Sequence, residues 1–184
     1  MTSHTEISGL QARQLASHLL NAVLRNKQPF DDAFAASSAK AASSGLAFRD
    51  RAFARAIAAT ALRRLGQLED MLARFLEKPL PADAFEARFI LIAGAVQLAF
   101  MEVAPHAAIG LAVEQAKSTR AARHLAGLIN AVLRRVNADK AAILAEQDAS
   151  KLNTPAWLWQ RWVRHYGEET ASRIAAAHLE DPPL

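Results

Sequence analysis

Arginines recur at helical spacing in the first third of the chain. Arg51 and Arg55 lie four residues apart, so on a helix their guanidinium groups project from the same face. Arg49 precedes them, and Arg63 and Arg64 follow about two turns later. Because a guanidinium group binds a phosphate through two parallel hydrogen bonds, such a row can contact adjacent phosphates of a polyanion.

The distribution of charge agrees with a polyanionic partner. Residues 1–65 carry nine lysines and arginines against four acidic residues, while the whole chain has a formal net charge of +4 and a pI of about 9.8. A membrane surface would satisfy this charge equally well, and a solvated helix face with an ion pair to Asp50 needs no partner at all. The candidate phosphate-binding set is Arg13, Arg25, Arg49, Arg51, Arg55, Arg63 and Arg64.

A second polar row lies in the most clearly amphipathic part of the chain. Arg123, Asn130 and Arg134 recur at a spacing that places them on one face of a helix, away from most of its leucines and isoleucines. This row is a possible second contact for the same polyanion. Gly127 shares the face, and close packing of another helix explains this glycine better than a ligand does.

Aromatic and basic residues alternate near the end of the chain, between Trp157 and Tyr166. Unpaired bases stack on tryptophan and arginine, so this composition is typical of nucleic-acid contacts. However, Leu158, Trp162 and Tyr166 follow one another at intervals of one helical turn. We therefore favour the interpretation that these three residues, with Trp157, anchor a core or an interface between domains.

Common catalytic and cofactor motifs are absent from the sequence. It has no cysteine, and its seven glycines are too scattered for a phosphate-binding loop. The six histidines lack the helical spacing of paired metal ligands. We therefore predict no catalytic residue, no metal site and no cofactor, S-adenosylmethionine included, in this chain.

The periodicity predicts helices throughout, and no segment alternates with the period of a strand. The first helix should carry a polar row opposite its apolar stripe. The stripe of residues 125–136, Leu128 included, should be buried, and the apolar stretch 89–101 should form a core helix because it is too short to cross a bilayer.

A polar N-terminus without a signal-peptide core favours a cytoplasmic protein without a membrane partner. We expect Asp83 and Thr154 to cap helices and a helix break near Gly66. The expected helices span residues 7–27, 31–42, 48–65, 67–78, 83–101, 105–117, 119–136, 140–148, 155–166 and 168–181.

Three motifs carry a resemblance to a known family. Residues 93–98 read AGAVQL, residues 105–108 read PHAA, and residues 127–134 read GLINAVLR. In this order and at these separations they resemble the NusB-like fold, and more closely the N-terminal domain of the bacterial small-subunit rRNA cytosine-5 methyltransferases (the RsmB/Sun/Fmu family). The tail, with Pro155, Trp157, Arg161 and the Pro182–Pro183 pair, is similar to the segment that follows this domain in the family.

The resemblance implies an all-α protein, with a NusB-like helical RNA-binding bundle over residues 1–150 and a helical linker over residues 151–184. It also implies rRNA as partner and a catalytic domain in cis, absent from this chain, that would hold the S-adenosylmethionine. The alternative is an antitermination-type interaction module that pairs with a ribosomal protein. A small independent enzyme is disfavoured because the motifs for one are missing.

Overall fold

Ten α-helices make up the computed structural model within residues 4–180, the part of the chain that it describes; side chains are described from Gly9 onward. No strand occurs in that range, which confirms the all-α prediction. The helices are α1 His4–Leu24, α2 Phe30–Ser43, α3 Phe48–Arg63, α4 Leu65–Ala73, α5 Phe85–Ala99, α6 Pro105–Ser118, α7 Ala126–Glu146, α8 Ala149–Leu152, α9 Ala156–Tyr166 and α10 Glu168–Ala177. A short 3-10 turn, Arg123–Leu125, precedes α7.

Helix α5 is the central element of the bundle. Nearly every residue from Ala87 to Leu98 is buried, because α1, α3, α4, α6 and α7 all pack against it. At Gly94 a Cβ atom would lie 2.7 Å from the Cδ1 atom of Leu133, so glycine here permits the close approach of α5 and α7. The prediction of a core helix in this stretch is confirmed. No helix in residues 4–180 is long and apolar enough to cross a membrane.

Helix α1 turns its polar row towards the rest of the bundle, contrary to the sequence-based expectation. Arg13 and Ser17 are buried, and the Ser17 hydroxyl accepts a hydrogen bond of 2.9 Å from the amide of Gln115 on α6. Helix α1 contacts α2, α3, α5 and α6, so it has packed neighbours on more than one side. A single apolar stripe covers only one side of a helix, so it cannot pack against all four neighbours. The polar residues Arg13 and Ser17 therefore take part in the remaining contacts.

Several predicted helix ends are wrong. The segment 140–148 is not a separate helix, because α7 continues through Lys140 to Glu146. Neither Asp83 nor Thr154 caps a helix: Ala84 precedes α5 and Pro155 precedes α9, and neither end has a side-chain cap. Helix α9 does end at Gly167, whose φ of 78° favours glycine, as predicted.

The last three helices are held against the bundle at α4. A Cβ atom at Gly66 would stand 1.8 Å from the carbonyl oxygen of Leu152, so the backbones of α4 and α8 touch directly. Gln67 and Asn153 exchange two hydrogen bonds, of 3.1 and 2.9 Å. The predicted helix break near Gly66 is confirmed, and it falls at Arg64 between α3 and α4. Gly66 itself lies inside α4 and permits the close contact with α8.

Candidate nucleic-acid interface

Arg13 cannot contribute to a surface that binds phosphate. Only 5% of the residue is exposed, and its guanidinium donates a 2.9 Å hydrogen bond to the carbonyl of Gly9 and lies over the ring of Phe53. Burial lowers the pKa of Arg13 from its ordinary value because the charged form is desolvated. The prediction that Arg13 binds phosphate is therefore wrong, and Arg13 is a structural residue between α1 and α3.

Arg51 and Arg55 already have partners within the chain. Arg51 donates to the carbonyl of Leu46, and Arg55 forms a 3.0 Å ion pair with Asp31 on α2. The Arg55 guanidinium also lies 5.4 Å from the centre of the Phe30 ring. The two arginines thus fix the start of α3 to the preceding turn and to α2, and their contact with phosphates stays a prediction.

Arg64 links the start of α4 to the far end of the chain. Its guanidinium donates to the side chain of Gln67 and, at 3.3 Å, to the carbonyl of Leu179, and it lies over the ring of Phe100. Burial, and then the neighbouring charge of Arg63, lower the pKa of Arg64. An arginine with these contacts is not free to bind an external phosphate.

Arg25, Arg49 and Arg55 are the exposed arginines of the N-terminal candidate set, and of these Arg55 is ion-paired with Asp31. The guanidinium of Arg25 lies 3.7 Å from the centre of the Phe85 ring, which leaves its outer edge open to solvent. Arg49 lies at the start of α3 beside Phe48, a side chain that is 77% exposed. Arg25 and Arg49 are thus the exposed members of the set that form no ion pair with a described residue, whereas Arg63 is half-buried at the end of α3.

The second polar row is interrupted in the structure. Arg123 belongs to the 3-10 turn, so it does not continue the face of α7 that holds Asn130 and Arg134. A Cβ atom at Gly127 would meet nothing within 4 Å, so the prediction that another helix packs there is wrong. Asn130 accepts a 3.2 Å hydrogen bond from Nε of Arg134, which holds this guanidinium along the helix.

Asn130 and Arg134 form one wall of a groove between α6 and α7, with a volume of about 620 Å³. Its floor includes Ile109 and Val113. Neither Lys117 nor Arg134 forms an ion pair in the described part of the chain. The full lining is Pro105, His106, Ile109, Gly110, Val113, Glu114, Lys117, Asn130, Arg134 and Asn137.

Two further arginines lie exposed where α6 leads into α7. Arg120 and Arg123 occupy the connection after Lys117, and the exposed His124 follows them. Lys117 and Arg120 were not among the predicted residues, because they lie on α6 and in the following turn, away from the periodic face of α7. Together with the groove they form a polar, cationic surface whose amides can hydrogen-bond to base edges and whose charges can bind phosphates.

The four predicted interface residues of the tail have different environments. Leu158 and Trp162 are half-buried and line a small groove with Leu62, Leu179 and His178, so they pack α9 against its own chain. The ring of Trp162 meets that of His178 edge-on, 5.2 Å between centres. Trp157 and Tyr166, by contrast, are 65% and 60% exposed, so neither is a core residue.

The comparisons with known proteins agree with this architecture. The chain matches the NusB family over residues 10–138, and it belongs to that family. It is 34% identical over 137 residues to "Ribosomal RNA small subunit methyltransferase B" of Vibrio cholerae serotype O1, a match that covers 73% of this chain and 31% of that protein. The protein of the same name from Escherichia coli O127:H6 is 30% identical over 138 residues, which cover 74% of this chain and 32% of that protein. The chain thus spans about a third of the length of these curated relatives.

Proposed function

We propose that this chain is an RNA-binding accessory domain that positions rRNA for a cytosine-5 methyltransferase domain in cis. Membership of the NusB family and similarity to a segment of proteins named rRNA methyltransferases support this function. In this proposal the S-adenosylmethionine and the reacting cysteine belong to that further domain, because this chain has no cysteine.

The observation that carries the proposal is the groove between α6 and α7. Lys117 and Arg134 stand on opposite walls, and neither has a carboxylate partner within the described residues. Glu114 is the one carboxylate among the lining residues, so the two cations leave the groove with a net positive charge that suits a polyanion, and binding releases the counterions of the phosphates. Asn130 and Asn137 supply amides that can donate and accept at a base edge. We include three further exposed arginines among the proposed phosphate contacts. These are Arg123, which precedes α7, and Arg25 and Arg49 from the N-terminal part of the chain.

A salt titration tests the function directly. The affinity for a labelled rRNA fragment should fall with salt, and Lys117→Gln and Arg134→Gln should each reduce the slope of log affinity against log salt by roughly 0.7–0.9. Arg74→Gln is the matched control, because Arg74 is already paired with Asp70 and Glu146. Wild-type slopes in both groove variants would remove the groove from the interface, and no RNA binding at low salt would refute the function.

A second function, pairing with a ribosomal protein, is favoured by an apolar groove of about 330 Å³ between α4 and α5. Leu72, Leu76, Leu80 and Leu91 line it, with Glu69 and Arg88 at its edge. Co-purification with a ribosomal protein, lost in Leu76→Asp and retained in Lys117→Gln, is the outcome that this second function requires.

A further inference from the structure

Helix α9 has one face that no other described element covers. Trp157, Arg161 and Arg164 are all exposed, and at 100° per residue they fall within an arc of about 60°. Leu158 and Trp162, on the side turned towards α10, are the residues that pack. The stripe of Trp157, Arg161 and Arg164 is therefore a continuous surface about two turns long.

The charges of this stripe have no counter-charge nearby. Neither arginine forms an ion pair or a side-chain hydrogen bond within residues 9–180. The closest acidic residue in sequence, Glu168, is 3.7 Å from Lys151, and Lys151 in turn lies over the ring of Trp159. Glu168 is thus paired with Lys151 and not with Arg161 or Arg164. What remains is an uncompensated positive face with an indole at one end.

We propose that the stripe of α9 binds single-stranded RNA, with an unpaired base stacked on Trp157 and the adjacent phosphates bound by Arg161 and Arg164. An indole that is 65% exposed offers a free π-face, which every base can stack on irrespective of sequence. Arginines one turn along the same face match the anionic backbone of the strand that carries this base. The inference rests on the proposed RNA-binding function and adds a second RNA contact to the one at the α6–α7 groove. This contact lies on the segment that was predicted to form a domain interface.

The charges of the stripe favour RNA over a protein as its occupant. Tryptophan and arginine also occur at protein-interface hot spots, but two adjacent arginines without a carboxylate partner in the described residues match the evenly spaced negative charges of a phosphate backbone. Tyr166, the other exposed aromatic residue of α9, lies about 180° away from Trp157 around the helix axis. A domain that docked through Tyr166 would leave the stripe accessible to RNA.

The test compares single-stranded and duplex RNA. A labelled single strand of about 16 nucleotides, and the same strand fully paired, are titrated against the wild type, Trp157→Ala and the double variant Arg161→Gln/Arg164→Gln. Trp157→Ala should weaken single-strand binding by about 5- to 150-fold and leave duplex binding unchanged, because paired bases are not available to stack. The arginine variant should lower the salt slope on the single strand by roughly 0.7 for each residue. Addition of the single strand should also quench tryptophan fluorescence less in Trp157→Ala than in the wild type.

Two control variants come from the same helices. Tyr166→Ala removes an exposed aromatic ring from the opposite side of α9, and Arg173→Gln removes one positive charge from α10. Both should bind the single strand as the wild type does. If Trp157→Ala keeps wild-type affinity while Lys117→Gln lowers it, the stripe does not bind the strand, and this inference fails while the proposed function stands. If the wild type binds no RNA at all, both fail together.

Discussion

Leu128 and Leu133 lie on the same helix in the same apolar pattern, yet they have different environments. Leu133 is fully buried against Gly94 of α5, whereas Leu128 is 37% exposed. The pattern alone made them equivalent, and the prediction that Leu128 is a core residue is wrong. Ala126 and Ile129 in the same first turn of α7 are buried, so Leu128 is exposed because it lies on the outer side of that turn.

This pair gives a matched test of the packing. Leu133→Ala should lower the free energy of unfolding by about 2–5 kcal/mol, because it opens a cavity in the core. Leu128→Ala should cost less than about 1 kcal/mol. Chemical denaturation monitored by circular dichroism measures both values. Equal losses for the two variants would contradict the packing of α7 described above.

The glycines of α4 and α7 also differ although both lie inside helices. Gly127→Ala should stabilise the protein by about 0.5–1 kcal/mol, because the position is open and alanine has the higher helix propensity. A loss of stability, measured by the same denaturation experiment, would mean that another segment packs against Gly127.

At the scale of the elements, α8 depends on one contact with α4. Gln147 adds three hydrogen bonds to those of Asn153: it donates at 3.0 Å to the backbone of Gln67 and at 2.8 Å to the side chain of Asp70, and it accepts at 3.1 Å from the side-chain amide of Gln67. Together with the direct contact at Gly66, these bonds bring α8 close to the bundle and, through α8, position α10. The tail that was expected as a linker over residues 151–184 thus includes, in its described part, helices packed on the bundle.

Gly66→Ala should detach α8 to α10 from the bundle. The added methyl group would overlap the carbonyl of Leu152, and that backbone can move only if α8 leaves its position. We expect faster amide hydrogen exchange over residues 149–180 and nearly unchanged exchange in α5 and α7. Gly127→Ala is the control. Wild-type protection of α8 in Gly66→Ala would show that the contact is not needed for docking.

At the scale of the whole molecule, the internal contacts of the arginines reduce the charge available for binding. Four of the predicted phosphate-binding residues, Arg13, Arg51, Arg55 and Arg64, bind carbonyls, a carboxylate or aromatic rings of the chain itself. The exposed cations that we propose as RNA contacts therefore come from different segments, at the α6–α7 groove, the start of α3 and the face of α9. A net charge computed for a segment does not show which charges face solvent.

The absence of cofactor motifs leads to a prediction for the whole chain. Titration calorimetry of the isolated protein with S-adenosylmethionine should give no heat beyond dilution, because the chain offers no glycine-rich loop for the cofactor. The control is an RNA titration of the same sample at low salt, which should give a signal. Stoichiometric binding of S-adenosylmethionine would contradict the assignment of this cofactor to a further domain.

The sequence by itself determined the helical class, the central position of α5 and membership of the NusB family. These depend on local periodicity, on one continuous apolar stretch and on ordered motifs, all of which are present in the chain before it folds. Only the tertiary structure decided which polar residues face inward. Arg13 and Ser17 look solvated along α1 but are buried because helices approach α1 from several sides, and Gly66 has its role only once Leu152, far away in sequence, is brought against it. The groove between α6 and α7 likewise exists only when the two helices lie side by side. Its cations belong to separate helices, and the periodicity of one helix does not indicate which residues of the other will lie next to it.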